Sequence, residues 1–411
     1  MTKDVPAMRL VREPPAWTSP PGKMSFSKLR QIESCPRRWA LMASDYPQIW
    51  GKRGYPEPLV LANIIGRVTH RAIEIIVKEF HRRGCISFDD AHAITAMREL
   101  GGFSSVIEKS LDDILSQFSD NPRASGTLDV VKRALHERKG KIREDVRILL
   151  SRMLGGRRTL SRDSSQSQSV NGPLGYGIHP EVRLVNEEMK WAGIADLIRL
   201  SSTECEIRDI KTGAPKEEHI EQLRIYSLLW LLDDGINPAG RPASKLTISY
   251  INNDVDVPPI SVSEVSALRD ELMARTKTAQ EKAAGRPPEA IPREENCRRC
   301  LVRHLCGAYW EKATLEMLAK NGHASSMTDA EVRIVGIHGS RSYDAVSIAS
   351  WNLPPNTPLI LRFSENTIGC TEGNRVRLLD VSMTREEDEE EYGPVIISTS
   401  RVSEVYLVTD P

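Results

Sequence analysis

The sequence predicts an α/β protein with a mixed β-sheet flanked by helices, followed by a small all-β barrel. Three observations carry this prediction. Between about residues 25 and 315, short strand-like runs alternate with longer amphipathic helical patterns. From residue 328, short runs rich in β-branched residues are separated by Gly, Pro and Asn. The chain has 411 residues, 40% hydrophobic and 27% charged, which is enough for more than one globular domain.

The first segments are an arm and a broken helix. Residues 1–24 are rich in proline and without periodicity, so we expect a flexible N-terminal arm or one laid over the surface. Ser25 is a good N-cap for the helix that follows. Pro36 comes directly after Cys35, and proline ends or kinks a helix. The thiol of Cys35 is therefore predicted at a helix end.

The next helix spans about residues 63–81 and carries His70 and Glu74 one turn apart. A lone histidine on a helix is usually structural or exposed. Neutral imidazole is nevertheless a good ligand for Mn²⁺ and a weaker one for Mg²⁺. The helix therefore offers one candidate metal ligand, with Glu74 as its less favoured companion.

Residues 85–160 predict a helical insertion with a break at the glycine pair 101–102. Between residues 132 and 162 the chain holds eleven Lys and Arg against three Asp and Glu. This stretch could follow a phosphate backbone or could simply be a solvated helix face. Residues 161–175 are of low complexity and predict a mobile Ser-rich loop.

The central element is residues 193–213, which predict two strands joined by a polar turn. A hairpin here would bring Asp196 beside Asp209 and Lys211. Two adjacent carboxylates repel each other unless a cation compensates, and hard oxygen ligands select Mg²⁺ or Mn²⁺. The other interpretation is an exposed hairpin with a salt-bridged turn.

The remaining elements of this unit surround the hairpin. A strand carrying Glu181 precedes it, and Glu181 could approach the metal or be an exposed strand residue. The helix over about residues 216–232 carries Gln222 and Tyr226 on one face, although Tyr226 could equally belong to the core. A strand over 245–250 and a helix over 262–284 complete the unit.

Three cysteines form the pattern C-x2-C-x5-C, at Cys297, Cys300 and Cys306. The chain contains no apolar run long enough for a membrane span and no signal-peptide pattern, so we expect a cytoplasmic protein without a membrane partner. Thiols in a reducing compartment are more often metal ligands than disulfides. Tetrahedral coordination would require a fourth thiolate.

The motifs together resemble the RecB-type branch of the PD-(D/E)XK nucleases. The sequence G-I-x-D followed by a strand ending in D-x-K-T-G is similar to motifs II and III of that branch. The resemblance implies a restriction-endonuclease-like core in which Asp196, Asp209 and Lys211 are catalytic. It implies that His70, the Ile210 carbonyl and more weakly Glu181 are additional metal ligands. Helix residues Gln222 and Tyr226 match the Q-x-x-x-Y motif, which implies that they orient the substrate.

The cysteines resemble those of the AddB and CRISPR-associated RecB-like exonuclease group. The isolated Cys35, within C-P-R-R-W, matches the N-terminal cysteine of that group. The resemblance implies a 4Fe–4S cluster bound by Cys35, Cys297, Cys300 and Cys306, with zinc as the alternative metal. It extends over residues 25–306 and implies a nuclease domain of residues 25–315.

The C-terminal domain, residues 328–411, is predicted to be an OB-like or SH3-like barrel. An OB barrel would bind single-stranded DNA by stacking on aromatic residues, of which this domain has few. The acidic run 386–391 would also repel phosphate. Docking of another protein is the equally supported role.

These features predict a Mg²⁺- or Mn²⁺-dependent deoxyribonuclease acting in DNA repair, recombination or antiviral defence. The expected substrate is DNA that is single-stranded or has ends. The formal net charge of zero counts against strong nonspecific binding to nucleic acid. The sequence has no Walker A motif, so a helicase or other ATPase would be a separate partner. The alternative is a non-catalytic DNA-end-binding or scaffold subunit.

Overall fold

The structure, a computed structural model of the chain, describes residues 9–85, 91–154, 172–320, 327–364, 369–387 and 392–408. The predicted Ser-rich loop lies mostly outside these ranges, as do residues 1–8 of the arm and 388–391 of the acidic run. The helices are α1 (Phe26–Ser34), α2 (Pro36–Ala43), α3 (Leu61–Arg82), α4 (Ala91–Glu99), α5 (Gly102–Ser116), α6 (Leu128–Leu154), α7 (Glu217–Leu231), α8 (Val262–Ala283), α9 (Glu294–Cys297) and α10 (Lys312–Lys320). The strands are β1 (Arg9–Val11), β2 (Gly177–Asn186), β3 (Trp191–Leu200), β4 (Cys205–Lys211), β5 (Lys245–Tyr250), β6 (Asp254–Val257), β7 (Met327–Gly339), β8 (Ser342–Ser350), β9 (Pro358–Arg362), β10 (Arg375–Glu387), β11 (Tyr392–Ser398) and β12 (Glu404–Val408).

The N-terminal unit is built on a five-stranded sheet in the order β2-β3-β4-β5-β6. Only β4 and β5 are parallel to each other, so the sheet is mixed as predicted. Strand β6 was not predicted, because its four residues DVDV are too few and too polar to show a strand pattern. The predicted α/β fold class is confirmed.

Helices cover both faces of this sheet. On one face, α1, α2, α7 and α8 bury a core with strand residues such as Ile198 and Ile207. On the other face, the helical insertion and α3 pack against Leu197 and Ile210. Both faces are apolar because neighbouring strand residues point to opposite sides and each side meets helices.

The C-terminal unit is a closed barrel of five strands, in the order β7-β8-β9-β11-β10, with β10 also pairing with β7. This confirms the predicted small all-β barrel. Strand β12 adds to β10 outside the closed ring, and β1 adds in parallel to β12. The sequence predicted a flexible arm at residues 1–24, whereas Arg9–Val11 form the edge strand β1. Three residues carry no readable period, so this pairing could not be predicted.

The barrel packs against the segment that contains the last three cysteines. Arg303 is buried there and donates to Asp329 and Asp380 of the barrel, with Nε–Oδ2 and Nη2–Oδ2 distances of 2.5 and 2.8 Å. The His304 ring stacks on Tyr406 with centroids 3.9 Å apart. These contacts join the two units through buried charge and aromatic stacking.

In the portions of the chain described above, no helix is both long and apolar enough to cross a lipid bilayer.

Candidate active site

The centre of the site is an opening between β3 and β4. The two strands pair from Leu200 opposite Cys205 as far as Leu197 opposite Arg208. Asp196, which precedes Leu197 in β3, contacts β4 through its side chain. Its Oδ2 accepts a hydrogen bond from the Ile210 backbone N–H at 2.6 Å. The carboxylate therefore occupies the place of a backbone partner, and the strands separate there.

Three potential metal ligands meet at this opening. Ligand atoms of His70, Glu181 and Asp196 all lie within 4.8 Å of one another. His70 Nδ1 is 3.4 Å from Asp196 Oδ1. An imidazole nitrogen with two carboxylates is a donor set that Mn²⁺ and Mg²⁺ accept, so the residues present fit a divalent ion.

Glu181 reaches this group through an unusual backbone conformation. Its φ is +52°, in the left-handed region that non-glycine residues rarely adopt. The register of β2 and β3 pairs Pro180 with Leu197 and Val182 with Ala195, which leaves Glu181 opposite Asp196. Strained backbone of this kind is concentrated at functional sites. The structure thus places Glu181, only weakly indicated by its position in the sequence, beside His70 and Asp196.

The pKa values show that the group favours an added positive charge. Burial alone would lower the pKa of His70, but the adjacent Asp196 raises it to about 9. Burial and the Asp196 charge raise the pKa of Glu181 to about 7, and the same two causes raise that of Asp209 to about 7. Burial and the Asp196 charge thus disfavour ionisation of both carboxyl groups even with His70 and Lys211 nearby, and a divalent metal ion would favour their ionised forms.

Lys211 is held in place by a chain of side chains. Its Nζ lies 2.8 Å from Asp209 Oδ2 and donates to Gln222 Oε1 at 2.9 Å. Gln222 Nε2 donates in turn to the Tyr226 hydroxyl at 2.7 Å. The Q-x-x-x-Y pair therefore contacts the lysine, and its predicted role in orienting substrate stays a prediction.

Two glycines allow the surrounding elements to approach closely. A Cβ at Gly193 would lie 2.7 Å from Cε1 of Tyr226, so the tyrosine ring packs where another residue would have a side chain. A Cβ at Gly66 would lie 3.0 Å from Oγ1 of Thr212, which brings α3 and His70 against the end of β4. Gly193 of the G-I-x-D motif and Gly66, four residues before His70, thus have steric reasons for their positions.

The site borders a cleft of about 1040 Å³ between α3, α5 and the residues after β4. His70, Glu181 and Arg67 line this cleft. Arg67 was not predicted from the sequence as a site residue, and its spacing of three residues from His70 on one helix is the signal that could have indicated it. Glu74 also lines the cleft, but it is ion-paired with Arg71 at 2.9 Å and with Lys78 at 2.5 Å. The structure therefore does not place Glu74 among the three grouped ligands.

The basic stretch of α6 lies elsewhere. Of the α6 side chains that the structure describes, none lines this cleft. Several of its charges are paired within the insertion, including Lys139 with Glu108 and Lys141 with Asp145. A role for this helix in following a phosphate backbone stays a prediction.

The four cysteines of the predicted cluster line a single small cavity: Cys35, Cys297, Cys300 and Cys306. Burial raises the pKa of the Cys297 and Cys300 thiols to about 11 and about 12. The Ile291 N–H donates to the sulfur of Cys35 at 3.5 Å. The remaining cysteines, Cys85, Cys205 and Cys370, are buried away from this cavity.

The sulfur spacing is wider than that of the first site. Throughout the described ranges, the trio at His70 is the only group of three candidate ligands that all lie within 4.8 Å. A single tetrahedral Zn²⁺ with Zn–S bonds of about 2.3 Å would hold its sulfurs about 3.8 Å apart. In this structure no three of the four sulfurs lie as close together as such an ion would hold them.

The solved structures to which the chain is similar include two with low TM-scores. One is a crystal structure of SSO0001, at 19% identity and a TM-score of 0.23, covering 47% of this chain and 80% of that one. The other is the crystal structure of the p204 HINb domain, at 9% identity and a TM-score of 0.17, covering 58% of this chain and 100% of that one. No curated protein matches the sequence.

The sequence profile of one family does match, and it matches most of the chain. It spans residues 23–307, which include the mixed sheet, the opening between β3 and β4 and all four clustered cysteines. Members of this family are nucleases that use divalent metal ions. From its sequence profile and its mixed α/β core, the chain belongs to the PD-(D/E)XK nuclease superfamily.

Proposed function

We propose that the chain is a Mg²⁺- or Mn²⁺-dependent deoxyribonuclease. One observation carries the proposal: Lys211 is fixed beside Asp209 at the opening where His70, Glu181 and Asp196 converge. A lysine next to a set of metal ligands suits phosphodiester hydrolysis, because this reaction needs both a positioned water and positive charge near the phosphate.

The roles of the residues follow from their contacts. His70, Glu181 and Asp196 would hold the divalent ion, with Asp209 and the Ile210 carbonyl as further ligands. Such an ion activates water and neutralises charge on phosphate when bound. Lys211, held by Gln222, would orient the attacking water and offset the negative charge that develops on the phosphate oxygens.

We also propose that Cys35, Cys297, Cys300 and Cys306 bind a 4Fe–4S cluster, as in the iron–sulfur branch that the sequence resembles. The resemblance and the single cavity that the four cysteines line support this proposal, with zinc as the alternative metal. The cluster would join α2 to the segment after α8, which is a structural role. Thiolate ligands of this kind persist in a reducing cytoplasm.

The decisive experiment is a cleavage assay with end-labelled DNA. Single-stranded and double-stranded DNA, linear and circular, and a matched RNA are incubated with Mg²⁺, Mn²⁺, Ca²⁺ or EDTA. We expect cleavage of DNA with Mg²⁺ or Mn²⁺, binding without turnover in Ca²⁺, and none in EDTA, because the looser coordination of Ca²⁺ positions water poorly. Undiminished cleavage in EDTA would contradict the two-carboxylate mechanism.

Two substitutions assign the activity to this site. Lys211→Ala and Asp196→Asn should each reduce cleavage by at least about 10²-fold while the fold is retained, since they remove a charge or a ligand from the site. Lys216→Ala is the matched control, because Lys216 is exposed and is paired with Glu218. A Lys211→Ala protein that cuts like the parent would show that the active site lies elsewhere.

The same assay tests the wider setting. Cleavage only at ends would identify an exonuclease, and we propose that such an activity serves repair, recombination or antiviral defence together with a separate helicase or defence protein. A parent protein that binds DNA ends but never cuts would instead support the scaffold function.

A further inference from the structure

We propose that Arg67 binds a phosphate group of the nucleic-acid strand next to the scissile one, so that the strand runs along α3 toward Asn63. This inference deepens the proposed nuclease function and rests on it. Arg67 would be a positioning residue that sets affinity and register, without contact with the reacting atoms.

The position of Arg67 on the helix is the first argument. Asn63, Arg67, His70 and Glu74 follow one another at spacings of four, three and four residues, so they share one face of α3. All four line the cleft. From His70 to Asn63 the helix rises about 10.5 Å, which is enough for more than one nucleotide. The face therefore forms a polar floor that leads away from the metal ligands.

The charge state of Arg67 is the second argument. Its guanidinium donates to the neutral Gln117 Oε1 and lies 5.2 Å from the centroid of the Phe118 ring. Within the described part of the chain Arg67 has no carboxylate partner, so its charge is held in place but not neutralised. An arginine fixed by an amide and an aromatic ring is ready for a phosphate.

The charges at the other end of the cleft indicate in which direction the nucleic-acid strand runs along α3. Beyond His70, Arg71 is neutralised by Glu74 and Asp113, at 2.9 and 2.8 Å. A phosphate there would compete with Glu74 and Asp113 for cations that are already paired. A strand that leaves the metal ligands is therefore attracted toward Arg67 and gains little attraction from the paired charges around Glu74.

Binding and turnover of a single-stranded oligodeoxynucleotide test the inference. Its dissociation constant is measured in Ca²⁺ over a range of salt concentrations, and kcat and KM are measured in Mg²⁺. Arg67→Ala should raise the dissociation constant and KM about tenfold, leave kcat within about twofold, and reduce the slope of log K against log salt by about 0.7. Circular dichroism and thermal unfolding confirm that the variant is folded, as expected for a partly exposed side chain.

Three further variants sharpen the result. Arg67→Lys should restore the salt slope but not the full affinity, because lysine cannot make the bidentate contact. Gln117→Ala should weaken binding less, with the slope unchanged. Arg82→Ala is the control on the same helix, exposed and paired with Glu79 at 2.6 Å, and should behave like the parent.

The opposing outcomes separate the two proposals. An Arg67→Ala protein with the parent's KM and salt slope would overturn the phosphate contact alone, as would a fall in kcat at unchanged KM. A parent protein that neither binds nor cuts the oligonucleotide would overturn the nuclease function as well.

Discussion

At the scale of single residues, the site consists of side chains that are held by other side chains. Lys211 contacts Asp209 and Gln222, and Gln222 contacts Tyr226. The tyrosine ring in turn requires that Gly193 has no Cβ. A motif glycine on β3 therefore supports the position of a lysine on β4.

Gly193→Ala tests this dependence. The added Cβ would lie 2.7 Å from Tyr226 Cε1 and 3.1 Å from its Cδ1, so the ring must move. Overpacking of this kind costs about 1–3 kcal/mol of unfolding free energy, and displacement of Gln222 should lower cleavage at least about tenfold. Urea unfolding and the cleavage assay measure the two effects.

The control is Gly213→Ala, where a Cβ would meet no atom within 4 Å. Its unfolding free energy should stay within about 0.5 kcal/mol of the parent. In a Tyr226→Ala background the cost of Gly193→Ala should largely disappear. An equal cost in both backgrounds would show that the tyrosine ring is not what the glycine accommodates.

At the scale of elements, the four-cysteine site joins two helices that are far apart in sequence. Cys35 sits between α1 and α2 because Pro36 cannot continue the first helix. Next to it, the Asn296 amide donates to the Ser34 carbonyl at 2.7 Å. The loop between these residues spans 262 positions. Holding the two ends of so long a loop together lowers the conformational entropy of the chain considerably.

Cys35→Ser tests whether the N-terminal cysteine is a ligand. Protein purified without oxygen should be brown, with broad visible absorbance and bound iron, and Cys35→Ser should lose both. It should also become sensitive to protease near α1 and α2, because the helix pair is no longer tied to the nuclease core. Iron analysis, absorbance and limited proteolysis are the measurements.

Cys370→Ser is the control, since Cys370 lies in the barrel core, and it should keep the colour and the iron. A colourless parent with one zinc per chain would replace the cluster while keeping the ligands. Full metal content in Cys35→Ser would remove this residue from the ligand set.

Much of this architecture could be predicted because it rests on local patterns. The alternation in β3 and β4 predicted that a hairpin brings Asp196 near Asp209, and Ser25 and Pro36 marked helix boundaries that the structure confirms. The left-handed backbone of Glu181 could not be predicted, since neither its residue type nor its spacing signals a positive φ. It depends on the strand pairing around it.

At the scale of the whole molecule, the barrel is docked on the cysteine segment by buried charges. Asp329 accepts from Arg303, from the Tyr309 hydroxyl at 2.7 Å and from the Asp380 backbone N–H at 2.9 Å. Arg303 lies between Cys300 and Cys306 in sequence and lines the cysteine cavity as well. This contact joins residues whose pairing no local pattern encodes, so the sequence could not predict it.

Arg303→Met should destabilise the protein strongly. The substitution leaves Asp329, which is 1% exposed, without its cationic partner, and breaking a buried pair in this way costs about 3–5 kcal/mol. Urea unfolding followed by tryptophan fluorescence measures the loss, since Trp310 and Trp351 lie at the interface. The rate of backbone amide hydrogen exchange in β7 and β12 should also be higher in Arg303→Met than in the parent.

Arg298→Met is the matched control in the same segment. Arg298 pairs with Glu294 at 2.8 Å on the partly exposed α9, and such pairs contribute less than about 1 kcal/mol. If Arg303→Met proves no less stable than Arg298→Met, the barrel is held by other contacts than this network.

The contact between Ser34 and Asn296 also sets an order of events during synthesis. At about 5–20 residues per second, the ribosome needs about 13 to 50 s to add the 262 residues that separate them. For that time α1 and α2 lack this contact, and we expect the Cys35 thiol to be accessible to oxidants, alkylating agents and metal carriers. Nascent chains arrested at residue 290 should therefore react with maleimide at Cys35, whereas completed chains should be protected. The four-cysteine site can therefore assemble only after the ribosome has translated the chain past Cys306.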